Sequence, residues 1–250
     1  MPEQCADLTR EQSSVLRNSL WPAIALPFLL IAIPAQAAVY VTTGAVYSEF
    51  DDTNNTTELA VPVRVRKTGN NFSVAAGNYW LEGDGYSGIG DLVVAASLYD
   101  VFYSPSANIG LNLQGSIKFP TATDDIGSGE MDEQIGFSVY HLRENITWYG
   151  SSDYRFNGEN SDYEYEDSLL LSVGFVAQPL TNTSIGVFYD YEQEQSDAAY
   201  SNSQLFLFAG TRLNNTVALR PFASFPLSNS SVSDASAFSI GLLIDVRLSR

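Results

Sequence analysis

From Ala38 onward the chain alternates apolar and polar residues in one segment after another, and no stretch keeps a 3.6-residue period. A period of two is the mark of a strand whose two faces meet unlike surroundings. Ile109–Phe119 is the plainest case. Its odd positions are apolar apart from Gly115, and its even positions are Gly110, Asn112, Gln114, Ser116 and Lys118. Phe238 to Leu248 repeats the pattern, with Phe238, Ile240, Leu242, Ile244, Val246 and Leu248 on one face and Ser239, Gly241, Asp245 and Arg247 on the other. Twelve such segments can be marked, near 39–50, 58–67, 71–81, 91–103, 108–119, 132–143, 145–156, 167–177, 183–192, 203–213, 215–226 and 236–248. Most have the length of a tilted strand that crosses a bilayer, about 9–11 residues or slightly more. Segments one, three, seven and ten alternate poorly, so their facing stays open.

The connections fall into two alternating classes. Thr68-Gly69-Asn70, Ser104 to Ala107, Glu144, Gln178 to Asn182 and Asn214 are tight. Asp51 to Thr57, Glu82 to Gly90, Thr121 to Met131, Asn157 to Glu166, Gln193 to Asn202 and Leu227 to Ala235 are longer, acidic and free of Lys and Arg. Short turns on one rim and long loops on the other are the pattern of outer-membrane barrels. The expected fold is therefore all-β: a closed antiparallel up-and-down transmembrane β-barrel of about twelve strands, with both termini on the periplasmic side. Closure is what lipid demands, because every backbone N–H and C=O must pair within the sheet. Aromatic residues near segment ends (Tyr47, Tyr79, Trp80, Phe102, Trp148, Tyr149) suit the two interface girdles.

Ahead of the first segment, Trp21 to Ile33 is a short apolar run, followed by Ala35-Gln36-Ala37. This reads as a secretory signal peptide over residues 1–37, cleaved after Ala37, with the barrel occupying 38–250. The run is too short to span a bilayer as a helix, which takes about 20 apolar residues. The only cysteine is Cys5, so the processed chain has no disulfide, cysteine zinc site or thiol nucleophile. A net charge of -17 argues against nucleic acid as a partner. The partners expected are outer-membrane lipid and lipopolysaccharide, the barrel-assembly machinery and a small-molecule solute; no cofactor or metal is expected.

If the apolar faces meet lipid, the other faces line the lumen. They supply Arg64, Arg66, Lys118, Arg155, Arg220 and Arg247 against Glu58, Asp91, Asp132, Asp153, Asp190 and Asp245, with Asn112 and Gln114 among them. Equal numbers of the two signs suggest cross-barrel pairing. Parity also brings Asp91, Lys118 and Asp132 inward on adjacent strands at the external rim. A lysine between two carboxylates there would anchor the Thr121–Met131 loop and shape the pore mouth, or else act as a fold-stabilising ion network.

Gly88-Ile-Gly90-Asp91-Leu92, Lys118-Phe-Pro120-Thr121 and Gly127-Ser128-Gly129-Glu-Met-Asp132 resemble the signature stretches of the outer-membrane "MetA-pathway of phenol degradation" family of transporters. The best match covers about residues 86–140. The resemblance implies an outer-membrane barrel that admits small aromatic or other hydrophobic compounds. The function expected is thus a narrow, mixed-charge channel for small solutes. The alternative is a structural or surface-interaction barrel with a plugged lumen and acidic loops. An enzyme is not expected: the only histidine, His141, points outward by parity near a tight turn, and no G-x-S-x-G elbow is present.

Overall fold

The structure, a computed structural model, describes residues 37–50, 56–83, 85–123, 126, 129–158, 167–194, 201–227 and 238–249. The expected leader lies outside the described residues up to Gln36. The first strand, β1, spans Ala38–Glu49. It is followed by β2 (Thr57–Thr68), β3 (Phe72–Gly83), β4 (Tyr86–Ile89), β5 (Leu92–Ser104), β6 (Ile109–Phe119) and β7 (Asp132–Arg143). Then come β8 (Ile146–Phe156), β9 (Ser168–Leu180), β10 (Thr183–Glu194), β11 (Ser201–Arg212), β12 (Val217–Pro226) and β13 (Phe238–Arg247).

Every described pairing is antiparallel, and the sheet closes on itself, since β1 pairs with β2 on one side and β13 on the other. Of the thirteen strands, the four-residue β4 is a short arm folded back on the outer end of β3. The remaining twelve are the staves of the barrel, as the alternation predicts. β4 arises within the segment read from sequence as the loop Glu82 to Gly90. It displaces β5 from the upper part of β3, so β3 and β5 pair only between Phe72↔Leu98 and Gly77↔Val93.

Facing follows parity around the ring. Leu98, Ile135, Val173, Ile185, Ile240 and Leu242 stand outward and exposed, up to 63% for Ile135. Such a continuous apolar exterior suits lipid and would be a liability in water. Tyr47, Trp80, Phe102, Trp148 and Phe156 are exposed near the ends of their strands. Tyr79 and Tyr149, by contrast, do not join a girdle. Tyr149 is 7% exposed, and both residues pack with the cluster inside the barrel. Their registers explain this, because Tyr149 pairs with the buried Tyr140 and Tyr79 with the inward Pro62.

Candidate functional site

The lumen is built from alternate residues of twelve strands, and its middle is apolar. Tyr140, Tyr149, Phe188, Phe206, Phe208 and Phe222 all turn inward and are nearly buried. Their rings touch in series. Tyr140 meets Tyr149 at 6.4 Å and Tyr149 meets Phe188 at 6.0 Å. Phe188 stacks on Phe208 at 6.4 Å, Phe208 meets Phe206 at 6.4 Å, and Phe206 stacks on Phe222 at 5.3 Å. An aromatic track therefore crosses the inner wall from β7 to β12. Several of its rings lie flat over a glycine directly opposite in the neighbouring strand: Tyr140 over Gly110, Phe208 over Gly186, and Phe222 over Gly241. A glycine leaves room for a ring to hug the wall where any Cβ would push it toward the axis. Tyr86 from β4 and Ile126 from the connection between β6 and β7 pack against the same cluster from the loop rim.

Polar groups lie on either side of the rings. At the loop rim Lys118 forms an ion pair with Asp132 and lies 4.0 Å from Asp91. Asp91 Oδ1 accepts the backbone N–H groups of Thr121 and Ala122, each at 3.0 Å. Asp132 Oδ1 accepts that of Gly158 at 3.1 Å. The structure thus brings the three predicted rim residues together and ties to them the start of the Thr121–Met131 connection. In the same half of the barrel Asp153 accepts from Gln114 at 2.6 Å and from Gln134 at 3.1 Å, and Arg155 pairs with Glu192 at 2.7 Å. Asp190 is inward on β10, opposite Gln204 and Ser172.

The turn-side half carries the other sign. Arg64, Arg66, Arg220 and Arg247 are inward there on β2, β12 and β13. Arg220 pairs with Asp245, which also accepts from Thr42 at 2.5 Å. Arg66 and Arg247 stack on the Tyr40 ring at 5.1 Å and 5.8 Å, an arrangement that favours cations. The equal count of signs read from sequence is therefore unevenly distributed along the axis: carboxylates outnumber Lys118 and Arg155 toward the loops, and guanidiniums outnumber Asp245 toward the turns.

Asn112 and Asp100 form a feature that parity misses. Asn112 donates to Ser138 Oγ at 3.2 Å, and its Oδ1 accepts the Asp100 N–H at 3.0 Å. Between Leu98 and Phe102 the register of β5 against β6 shifts, with Asp100 at φ 52°. This β-bulge swings Asp100 inward, where its carboxylate accepts the Tyr140 hydroxyl. Strict alternation would send Asp100 into lipid, and that conflict is the sequence signal of a bulge. His141 is exposed on the outer face opposite Trp148 and Ile109. Among the described residues no group of His, Cys, Asp or Glu could hold a metal ion.

A closed, lipid-faced antiparallel barrel with a partly polar interior defines the class of outer-membrane barrels. The family model described as "Putative MetA-pathway of phenol degradation" matches residues 31–240, and the chain belongs to that family. Its fold is also that of solved barrels. An outer membrane channel from Pseudomonas putida F1 is 15% identical, with 90% of this chain and 100% of that one covered at a TM-score of 0.70. The NanC porin is 6% identical over 83% of this chain and 100% of its own, with a TM-score of 0.61. The KdgM porin, solved with disordered oligogalacturonate, is 9% identical over 83% and 99%, with a TM-score of 0.56. No curated protein matches the chain.

Proposed function

We propose that this protein is an outer-membrane channel that passes small apolar or aromatic solutes through a narrow lumen of mixed charge. It would sit among outer-membrane lipid and lipopolysaccharide after insertion by the barrel-assembly machinery. The observation that carries the reading is the aromatic track inside the barrel. A structural barrel could fill its lumen with any well-packed side chains, whereas rings laid flat on glycines line a wall. Apolar solutes gain by contact with such a wall, where water and sugars do not. The family's link to phenol degradation and the likeness to a Pseudomonas putida channel support the same reading. It is a conduit rather than an enzyme, which agrees with channels and porins as its structural neighbours.

One observation favours the plugged-barrel alternative: Phe188, Phe206 and Phe208 are each 5% exposed or less. Conduction therefore requires side-chain motion, and the test must separate the two readings. Purified protein in planar bilayers and proteoliposomes is expected to show stepwise conductance and to admit phenol faster than glucose. Phe206→Ala, with folding checked by heat-modifiable mobility, should raise conductance several-fold and weaken that preference. Liposomes as tight as protein-free ones, with a Phe206→Ala variant equally silent, would leave the plugged barrel as the correct reading.

A further inference from the structure

We propose that β4 and the turn after β6 (Thr121, Thr123 and Ile126) form a two-part cover over the outer mouth of the lumen, latched shut by Tyr86 and Glu58, an inference that rests on the channel reading only for what the cover admits. Register places the first part. Glu58 on β2 pairs with Gly83 on β3, and Gly83 pairs with Tyr86 on β4. One row deeper the same three strands line up Ala60, Leu81 and Gly88. Burial alternates along β4, with Tyr86 and Gly88 half-buried and turned inward, and Ser87 and Ile89 exposed. Gly83 has no side chain, so the Tyr86 ring lies across it, in space that a Cβ would take. The phenol hydroxyl thereby reaches over β3 and donates to the Glu58 carboxylate.

The second part comes from the other side. Asp91 fixes its root through the Thr121 and Ala122 N–H groups, and Thr121 Oγ1 accepts the Leu92 N–H at 2.8 Å. Thr123 then joins β4. Its N–H donates to the Ile89 carbonyl at 2.8 Å, and its hydroxyl oxygen accepts the Ile89 N–H at 3.0 Å. The Ile126 N–H donates back to the Thr123 carbonyl at 2.9 Å, which closes the turn. The turn sits on Gly88, where a Cβ would stand 2.6 Å from Thr123 Oγ1 and 2.7 Å from Ile126 Cδ1. Both parts converge on the buried cluster inside the barrel. Tyr86 and Ile126 pack against it, and it includes Ala60 and Leu81, 4% and 9% exposed.

The cover is also the part of the wall best suited to move. β4 has four residues and ends the strand order, so among the described residues β3 is its one strand neighbour. A short edge strand with few ladder bonds opens at far less cost than a stave paired on both sides. What β4 lacks in ladder it recovers at its tip, because a hydrogen bond to a charged acceptor is about twice as strong as a neutral one. Breaking the Tyr86–Glu58 bond frees the arm together with the turn braced on it, and uncovers the apolar cluster beneath.

Thiol accessibility tests the latch independently of transport. In the full-length, detergent-solubilised protein carrying Cys5→Ser, Ala60→Cys places a single thiol beneath the cover, to be labelled by a charged maleimide. Labelling is expected to be about tenfold faster in Tyr86→Phe, which keeps the ring and removes the hydroxyl, as for a lost hydrogen bond to a charged group. Gly88→Ala, which dislodges the turn, should act in the same direction. Tyr154→Phe is the control: it removes a hydroxyl that donates to Asp167 at 2.9 Å, outside the cover, and should leave the rate unchanged. Equal rates in the parent, Tyr86→Phe and Gly88→Ala overturn the cover, and so does equal acceleration by Tyr154→Phe. If Tyr86→Phe fails to fold, Gly88→Ala decides alone. Flux into proteoliposomes separates the two proposals. Solute entry with labelling indifferent to Tyr86 and Gly88 removes the cover and leaves the channel. Faster labelling with no solute entering through any variant keeps the cover and sinks the channel.

Discussion

At Gly186 the space a side chain would fill is taken by the ring of Phe208, its partner across the β10–β11 ladder. A methyl group there cannot coexist with a ring held against the wall. Gly186→Ala should therefore drive Phe208 toward the barrel axis. The expected cost is about 1–3 kcal/mol, in the range of overpacked cores, read as a lower urea midpoint of the refolded protein. Single-channel conductance should fall as well. A variant with unaltered stability and conductance would show that the ring is not wall-held. Neither residue announces this role in the sequence. A glycine and a phenylalanine far apart along the chain become a unit only once the strand register sets them face to face. Parity does place Arg64, Arg66, Arg220, Asp245 and Arg247 in the lumen, because charges opposite valines and isoleucines have one possible side. What it cannot supply is height along the axis, which decides which charges meet. That is why equal numbers of the two signs in the sequence do not reveal that carboxylates are in excess toward the loops and guanidiniums toward the turns.

Strands that alternate poorly turn out to be informative. In β11, Leu205-Phe206-Leu207-Phe208 is apolar on both faces, so the lipid side and the aromatic track are written in one unbroken run. β8 carries Trp148 outward beside Tyr149 inward, and β1 carries Val46 buried in the lumen cluster. Failed alternation thus marks some of the staves that build the apolar part of the lumen, while Tyr140, Phe188 and Phe222 join it from β7, β10 and β12, which are not among the poorly alternating segments. Clean strands make the complementary prediction. Phe137 sits mid-strand on the lipid face of β7, between inward Gly136 and Ser138. Phe137→Arg should cost about 2–4 kcal/mol near the bilayer midplane, measured by unfolding in lipid vesicles. A neutral result would mean that this face does not meet hydrocarbon. The connection after β6 carries a prediction of its own. Asp91 accepts the Thr121 and Ala122 N–H groups while facing Lys118. Asp91→Ala should release that segment at about 1–3 kcal/mol for the donors left unpaired. Single-channel traces should then show faster open–closed flicker, and traces indistinguishable from the parent would assign the cluster to stability alone.

Closure is the property of the whole molecule on which the others depend, and it is completed at one seam. Strands β1 and β13 lie at opposite ends of the chain and pair from Tyr40↔Arg247 to Glu49↔Phe238. This contact is the one expected to close last, because it joins residues about 200 apart while all other stave pairs are sequence neighbours. Gly44 lies within it, and a Cβ there would collide with the Leu242 backbone carbonyl. Backbone cannot yield as a flexible side chain can, so Gly44→Val should act on the seam and spare the hairpins. The expected phenotype is specific: strand content by circular dichroism nearly preserved, with the heat-modifiable compact band on gels slowed or lost. An open sheet would then present two unpaired edges to lipid, each with backbone groups that nothing can satisfy, and the protein should aggregate rather than insert. If Gly44→Val folds at the parent rate and keeps its compact band, the β1–β13 seam tolerates a branched side chain and the close approach at Gly44 is not what closes the barrel. A variant that loses strand content altogether would instead show that hairpin formation and closure are a single step.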